Sequence, residues 1–425
     1  MLLYFALAIF ISFVTSQTVP TNYNVDITQE YSDSYYPSIQ WSDSFDWKLL
    51  KVLANQSSNV LISPLSLRLV LAILYEGSSG STQREFEQGL KFSKKSTVRE
   101  QFKESLNSLQ RSANSDNVLK ISTNLFLDSE IEPKDNYADL IKTYYYTDVV
   151  GTNFSDTVTA SDEINSWASQ ATFGLVPHLI DSDSIKDMTM LLANAVYFKG
   201  LWKHHFPKEN THIDKFYITP EQSIYIPFMS VTEQFYYYES TLLDAKILRL
   251  PYKNSDFSMF IVLPLSKGGL PDLIRRINLA DLHRELYSLN KKLIQVSIPK
   301  FKFRFKSSYS SVLKYFGFRT MFQNTASFPK IAKGNTTVLR KIVINDILQT
   351  TGIEIDEEGS IAYAATDVII GNKIGLSDTF NATQPFLFFI QEDKEGVVFY
   401  VGKVENPLLQ DLELKPIQKD DDNLT

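Results

Sequence analysis

The chain contains no cysteine. That excludes a disulfide framework, a thiol nucleophile and any cysteine-based zinc site. Glycine and proline are sparse, 16 of each in 425 residues, and scattered, so nothing in the middle reads as a linker. The histidines His178, His204, His205, His212 and His283 show no metal-ligand spacing such as HExxH. GxSxG is missing as well, and Ser63 and Ser66 sit in a helix-start context that does not suit a nucleophile. An enzyme is therefore not expected, nor a bound metal. Basic residues are absent before Lys48, and the net charge of −7 argues against general nucleic-acid binding.

What is present is an ordinary globular composition, 44% hydrophobic and 21% charged. A chain this long buries enough surface to fold without disulfides. Residues 2–14 are apolar and too short to span a bilayer, with Val14 and Ser16 placed for a signal peptidase. Residues 1–16 thus read as a signal peptide, and the protein as secreted and extracellular rather than membrane-bound. Five N-x-Ser/Thr sequons fit that route: Asn55, Asn153, Asn335, Asn381 and Asn423. Residues 17–41 form an acidic, tyrosine-rich extension expected to be disordered. A single folded domain is expected over 42–407, followed by a tail over 408–425.

Within that domain the patterns alternate between types. Ser63 is placed as an N-cap and Pro64 as the first residue of a helix that is apolar nearly all round. Thr82 and Glu85 have the spacing of a capping box. Ile164, Trp167, Ala168 and Ala171 mark an amphipathic helix. Residues 188–198 are nearly continuous apolar, as in a strand covered on both faces. From Val296 to Lys306, Phe301, Phe303 and Phe305 alternate with Lys300, Lys302, Arg304 and Lys306, a half-buried strand with a basic outer row. Residues 386–391 and 397–401 read as a hairpin. Strands and helices interleave without a repeat, so the class is α+β.

The most telling segment is Glu357-Glu358-Gly359-Ser360, continuing through Ala362, Ala364, Ala365 and Thr366. At a period of two, Ser360, Ala362, Ala364 and Thr366 share one face, and all are small. Ile361 and Tyr363 fall on the other. A small-faced strand that follows an acidic turn suits a segment able to stand as a loop or enter a sheet.

That segment resembles the hinge of the serpins. So do NVLISPLSLRLVLAILYEGSSGST (59–82), NAVYFKGLW (194–202), VSIPKFKF (296–303) and PFLFFIQEDKEGVVFYVGKVENP (385–407), in the family's order. The resemblance implies a fold of three β-sheets and about nine helices with an exposed reactive-centre loop. It implies an inhibitor, acting as a monomer, that traps a serine protease as a covalent acyl complex while the cut loop inserts into the main sheet. The family's usual spacing from Glu357 places the scissile bond at Lys373–Ile374, with bonds beside Asn372 and Ile374 as alternates. Lys373 would suit a trypsin-like protease. Ser63, Ser66 and Asn194 match the family's shutter, with Gln349 where many members carry a histidine, and Trp202 matches the breach. No cofactor is required. A glycosaminoglycan is the candidate ligand for Lys300, Lys302, Arg304 and Lys306, or for Arg275, Arg276, Lys291 and Lys292, although such rows are more often plain solvation. The rival reading is a non-inhibitory serpin serving as carrier, chaperone or store.

Overall fold

A computed structural model describes residues 44–186, 188–334, 342–359 and 378–414. The signal peptide (1–16), the acidic extension (17–41), Ser360, Ala362, Ala364, Ala365, Thr366, Lys373, Ile374, Asn335 and Asn423 lie outside these residues. Asn55, Asn153 and Asn381 lie within them and are exposed.

A six-stranded sheet has the order β15-β10-β11-β4-β2-β3. Its members are β2 (Asn117–Asp128), β3 (Asp148–Thr152), β4 (Met190–Gly200), β10 (Phe301–Ser308), β11 (Asp346–Ile355) and β15 (Asp411–Glu413). The second sheet has nine strands, in the order β1-β14-β13-β8-β7-β6-β9-β12, with β5 also on β6. It comprises β1 (Val60–Ile62), β5 (His212–Tyr217), β6 (Ser223–Ser240), β7 (Ala245–Pro251), β8 (Phe257–Pro264), β9 (Asn290–Pro299), β12 (Thr379–Asn381), β13 (Phe386–Glu392) and β14 (Val398–Val404). The resemblance implied three sheets. Two of those are joined here because the 18-residue β6 runs through both, pairing with β5 and β9 and then with β7.

Nine α-helices stand among the described residues. Those that bear on the site are α2 (Pro64–Gly77), α3 (Gly80–Leu90), α4 (Lys95–Ser112), α5 (Asp135–Tyr145) and α6 (Thr157–Ala171). Helix α2 is buried along most of its length, as its all-round apolar sequence requires, and Ser63 caps it through the Ser66 N–H at 3.3 Å. It continues through Gly77. Helix α6 lays Ile164 and Ala168 on Leu191, Ala193 and Leu348 of the six-stranded sheet. That sheet is therefore covered on both faces, which explains why β4 is apolar on both.

Three expectations need correction. Thr82 and Glu85 do not form a capping box. Thr82 Oγ1 accepts from the Ser327 N–H, and Glu85 accepts from the N–H groups of Arg319 and Thr320, so tertiary partners outcompete the local ones. Residues 296–306 are not one strand. The break at Lys300 sends β9 and β10 into different sheets. The segment expected as a tail from 408 is anchored at its start, since β15 pairs in parallel with Arg304–Lys306 and buries Leu414.

Candidate functional site: the seam between strands β4 and β11

Strands β4 and β11 run parallel and pair directly, from Asp346↔Leu191 to Gly352↔Tyr197. Beyond Gly352 they part. Ile353–Ile355 pair only with β10, and Phe198–Gly200 only with β2. A cavity of about 290 Å³ opens between them, lined by Tyr197, Phe198, Lys199, Gly352 and Glu354, with Phe173–Leu175 on its outer side. Leu175 plugs the seam where it starts to open. A Cβ on Gly352 would stand 2.2 Å from Leu175 Cδ2, so any larger residue there must displace the Leu175 side chain. The turn after α6 reaches this position through left-handed Phe173 and Gly174, and the Gly174 N–H closes the helix end on Ser169 O at 2.8 Å.

The middle of the seam is held by a polar cluster on the face opposite α6. Gln349 is its hub. Its Oε1 accepts from the Ser63 N–H (3.0 Å) and the Tyr309 hydroxyl (3.0 Å). Its Nε2 donates to Ser63 O and to Asn194 Oδ1, each at 3.1 Å. Asn194 in turn donates to Thr123 Oγ1 at 2.9 Å. Gln349, Asn194 and Thr123 are register partners across β11, β4 and β2, so the alternation of strands alone aligns them. The hub is fully buried and uses both lone pairs and both N–H bonds of its amide. Ser63 and Asn194 belong to this cluster. Ser66 contributes only its backbone N–H, to the Ser63 cap.

Two members of the cluster and one clasp escaped sequence reasoning. Thr123 and Tyr309 sit in unremarkable runs and carry no motif. Tyr400 of β14 lies under the seam's upper end, where its hydroxyl donates to Val196 O of β4 at 2.5 Å with Gly352 O of β11 at 3.2 Å. A tyrosine in the otherwise apolar Val397–Val401 run was the one available signal, because a buried phenol needs a partner.

At the open end the acidic turn after β11 is pinned to the segment after β4. Trp202 Nε1 donates to Asp356 O at 2.9 Å, and the indole stacks on Tyr252 with centroids 4.4 Å apart. The N–H groups of Trp202 and Phe206 donate to Glu358 O (3.2 Å) and Glu357 O (2.9 Å). Glu357 accepts from Lys300 at 2.6 Å and Thr211 at 2.7 Å, and Glu358 pairs with Lys208 at 2.5 Å. Burial raises the Glu357 pKa, but the bonds from Lys300 and Thr211 outweigh it and leave the carboxyl below its ordinary 4.5. Burial pushes neighbouring Asp356 up. Gly359 adopts φ +81°, and a Cβ there would meet Gly200 O at 2.3 Å and Trp202 N at 2.6 Å. The hinge residues Glu357, Glu358 and Gly359 are thus locked against β4's end in a conformation only glycine tolerates.

The basic row on β10 is already neutralised. Lys300 pairs with Glu357, Lys302 with Glu354, Arg304 with Asp411 and Lys306 with Glu413. The last two acids arrive on β15, which the alternation of β10 alone does not reveal. Among the described residues no group of acids and histidines could hold a metal ion, and no helix is long and apolar enough to cross a membrane.

The topology limits what this site can do. A chain leaving the end of β11 and folding back at 356–359 would run antiparallel to both β4 and β11. It could therefore pair with each neighbour if they separated. A family model described as serpin (serine protease inhibitor) matches residues 40–407. Serine protease inhibitor 2 of Anopheles gambiae is 34% identical over 379 residues, covering 87% of this chain and 92% of that one. The crystal structure of Manduca sexta serpin-12 superposes with a TM-score of 0.79 at 25% identity, covering 87% and 98% of the two chains. Human thyroxine-binding globulin, at TM-score 0.76 and 24% identity over 85% and 96%, shares the fold. Sheet order, seam and matches over most of the length agree, and the chain belongs to the serpin family.

Proposed function

We propose that the protein is a secreted inhibitor of trypsin-like serine proteases that works as a suicide substrate. The observation that carries this reading is the seam: β4 and β11 pair directly, and the chain that would separate them starts from a pinned turn at β11's end. Serpins are generally protease inhibitors rather than enzymes, and this chain is read in the same way. Residues 1–16 act as the signal peptide, 17–41 as an acidic extension and 42–407 as the inhibitory domain of a monomer. The exposed Asn55, Asn153 and Asn381 suit glycans, as do the sequons at Asn335 and Asn423.

In this account the protease serine Oγ attacks the Lys373 carbonyl carbon. The bond to the Ile374 nitrogen breaks, and that nitrogen takes up a proton and leaves as an amine. Lys373 remains as an ester on the protease. Residues 360–373 then enter the seam with the small side chains of Ser360, Ala362, Ala364 and Thr366 on one face. A strand of that length moves the protease by about 45 Å. Ile361 and Tyr363 lie on the other face and set the speed of entry. The test is incubation with trypsin, then denaturing electrophoresis and intact-mass analysis. A denaturant-resistant complex and a released fragment starting at Ile374 are expected. Clean cleavage with trypsin left active would instead assign a carrier, chaperone or storage role.

A further inference from the structure

Away from the seam, a cavity of about 350 Å³ lies where the C-terminal end of α2 meets α4 and α5. Its rim carries Lys95, Arg99, Lys134 and Lys330, and its floor is Tyr137 and Leu140. We propose that this cavity binds a small organic anion, a carboxylate or sulfonate carried on a compact apolar body.

The charge count supports an anion. The one acid in the lining is Glu76, which is buried and already engaged. Arg99 grips it through two bonds of 3.1 and 3.0 Å, and the Tyr145 hydroxyl donates a third at 3.0 Å. The lysines meet uncharged partners instead. Lys95 donates to the carbonyls of Glu76 (3.2 Å) and Ser78 (2.9 Å) at the end of α2, and Lys134 donates to Pro329 O at 2.8 Å. Among the described residues none of the three lysines has a carboxylate within ion-pair distance. Glu87 of α3 faces Lys95 from outside the cavity, where Tyr75 and Gln83 hold its carboxylate. Lys330 lies close enough to Lys95 to oppose its charge. Burial first, and Lys330 second, push the Lys95 amine down to about 8. An anion between the two ammonium groups cancels their repulsion and offsets the cost of burying Lys95.

Shape selects the class of anion. The cations converge on one concavity instead of running along a face, which suits a single charged group better than a polysaccharide track. The tyrosine and leucine floor gives an apolar body something to bury, which an inorganic ion lacks. Tyr137 is held rigid by its hydroxyl bond to Ile73 O at 3.0 Å, so the floor is preformed.

The test is a ligand-observed NMR titration of the full chain with benzenesulfonate, run beside inorganic sulfate and a heparin oligosaccharide. One saturable benzenesulfonate site is expected, with sulfate about tenfold weaker for want of an apolar body. Lys330→Gln, at an exposed position, should weaken benzenesulfonate about tenfold with the Tm unchanged. Lys134→Gln provides a second variant with the same expected direction. Absence of saturable binding would overturn the proposal, and so would binding that neither variant weakens. Heparin binding lost in Lys330→Gln with benzenesulfonate inert would overturn it in favour of a polysaccharide.

Discussion

The two halves of the β4–β11 seam are held by opposite chemistry. The middle is closed by a neutral, buried amide with every hydrogen-bonding capacity used. The open end is closed by charged groups, a buried Glu357 held by the half-exposed Lys300 and a Glu358–Lys208 pair that reaches solvent, and by one glycine in a left-handed conformation. Buried neutral networks are costly to break, since each broken bond leaves an unsatisfied group. Ion pairs whose cations reach solvent, as those of Lys208 and Lys300 do, are screened by salt and sensitive to pH. The seam is therefore built to open from the hinge end toward the middle, the direction in which a chain starting at Gly359 would enter.

The largest expected effect comes from the middle. Gln349→Ala strands the Ser63 N–H, the Tyr309 hydroxyl and the Asn194 oxygen, and should cost the intact protein about 4 kcal/mol by denaturant unfolding. A loss under about 1 kcal/mol would mean the cluster does not hold the seam. Gly359→Ala comes next, at about 3 kcal/mol, from a left-handed φ combined with overlap on Gly200 and Trp202. This loss should vanish once the loop is cleaved and the turn is released. An equal loss in both forms would show that the turn never moves.

Glu357→Gln should cost about 1.5 kcal/mol and remove the share of the hinge's acid sensitivity that this carboxyl carries. The sign follows from the depressed carboxyl. Its contribution is complete above the ordinary value of 4.5 and is lost as the pH falls through the lower folded value. Asp356, pushed up by burial, works the other way and blunts the change. Protection of the Trp202 indole N–H against exchange should fall with acid while that of the Gln349 amide holds. Equal loss at both positions would erase the contrast between the halves. The smallest effect belongs to Tyr400→Phe, about 1 kcal/mol for a shared hydroxyl bond, with faster loop entry as its kinetic signature.

Much of this was legible in the sequence, because local patterns carried it. The Ser63–Pro64 helix start, the all-apolar β4, the β13–β14 hairpin and the Glu357–Gly359 turn each obey a short-range rule. What escaped depends on long-range pairing. Gln349 stood out as a departure, but its partner Tyr309 lies 40 residues away and Thr123, bonded to Asn194, comes from the more distant β2. Glu85 carried a capping-box spacing and spent its carboxylate on Arg319 and Thr320 instead. The basic row on β10 looked available because its acids, Glu354, Glu357, Asp411 and Glu413, lie 50 or more residues away. The break at Lys300 was marked only by a shift of phase, from Ile294, Val296 and Ile298 inward to Phe301, Phe303 and Phe305 inward.

The central claim is that the chain following Gly359 becomes the missing strand of the seam. The direct test is to cut the loop with a protease that forms no complex and compare thermal unfolding of the intact and cut protein. The account predicts that the cut protein, with the seam filled by an antiparallel strand, survives heating that unfolds the intact form. An unchanged or lower Tm after a clean single cut would contradict it.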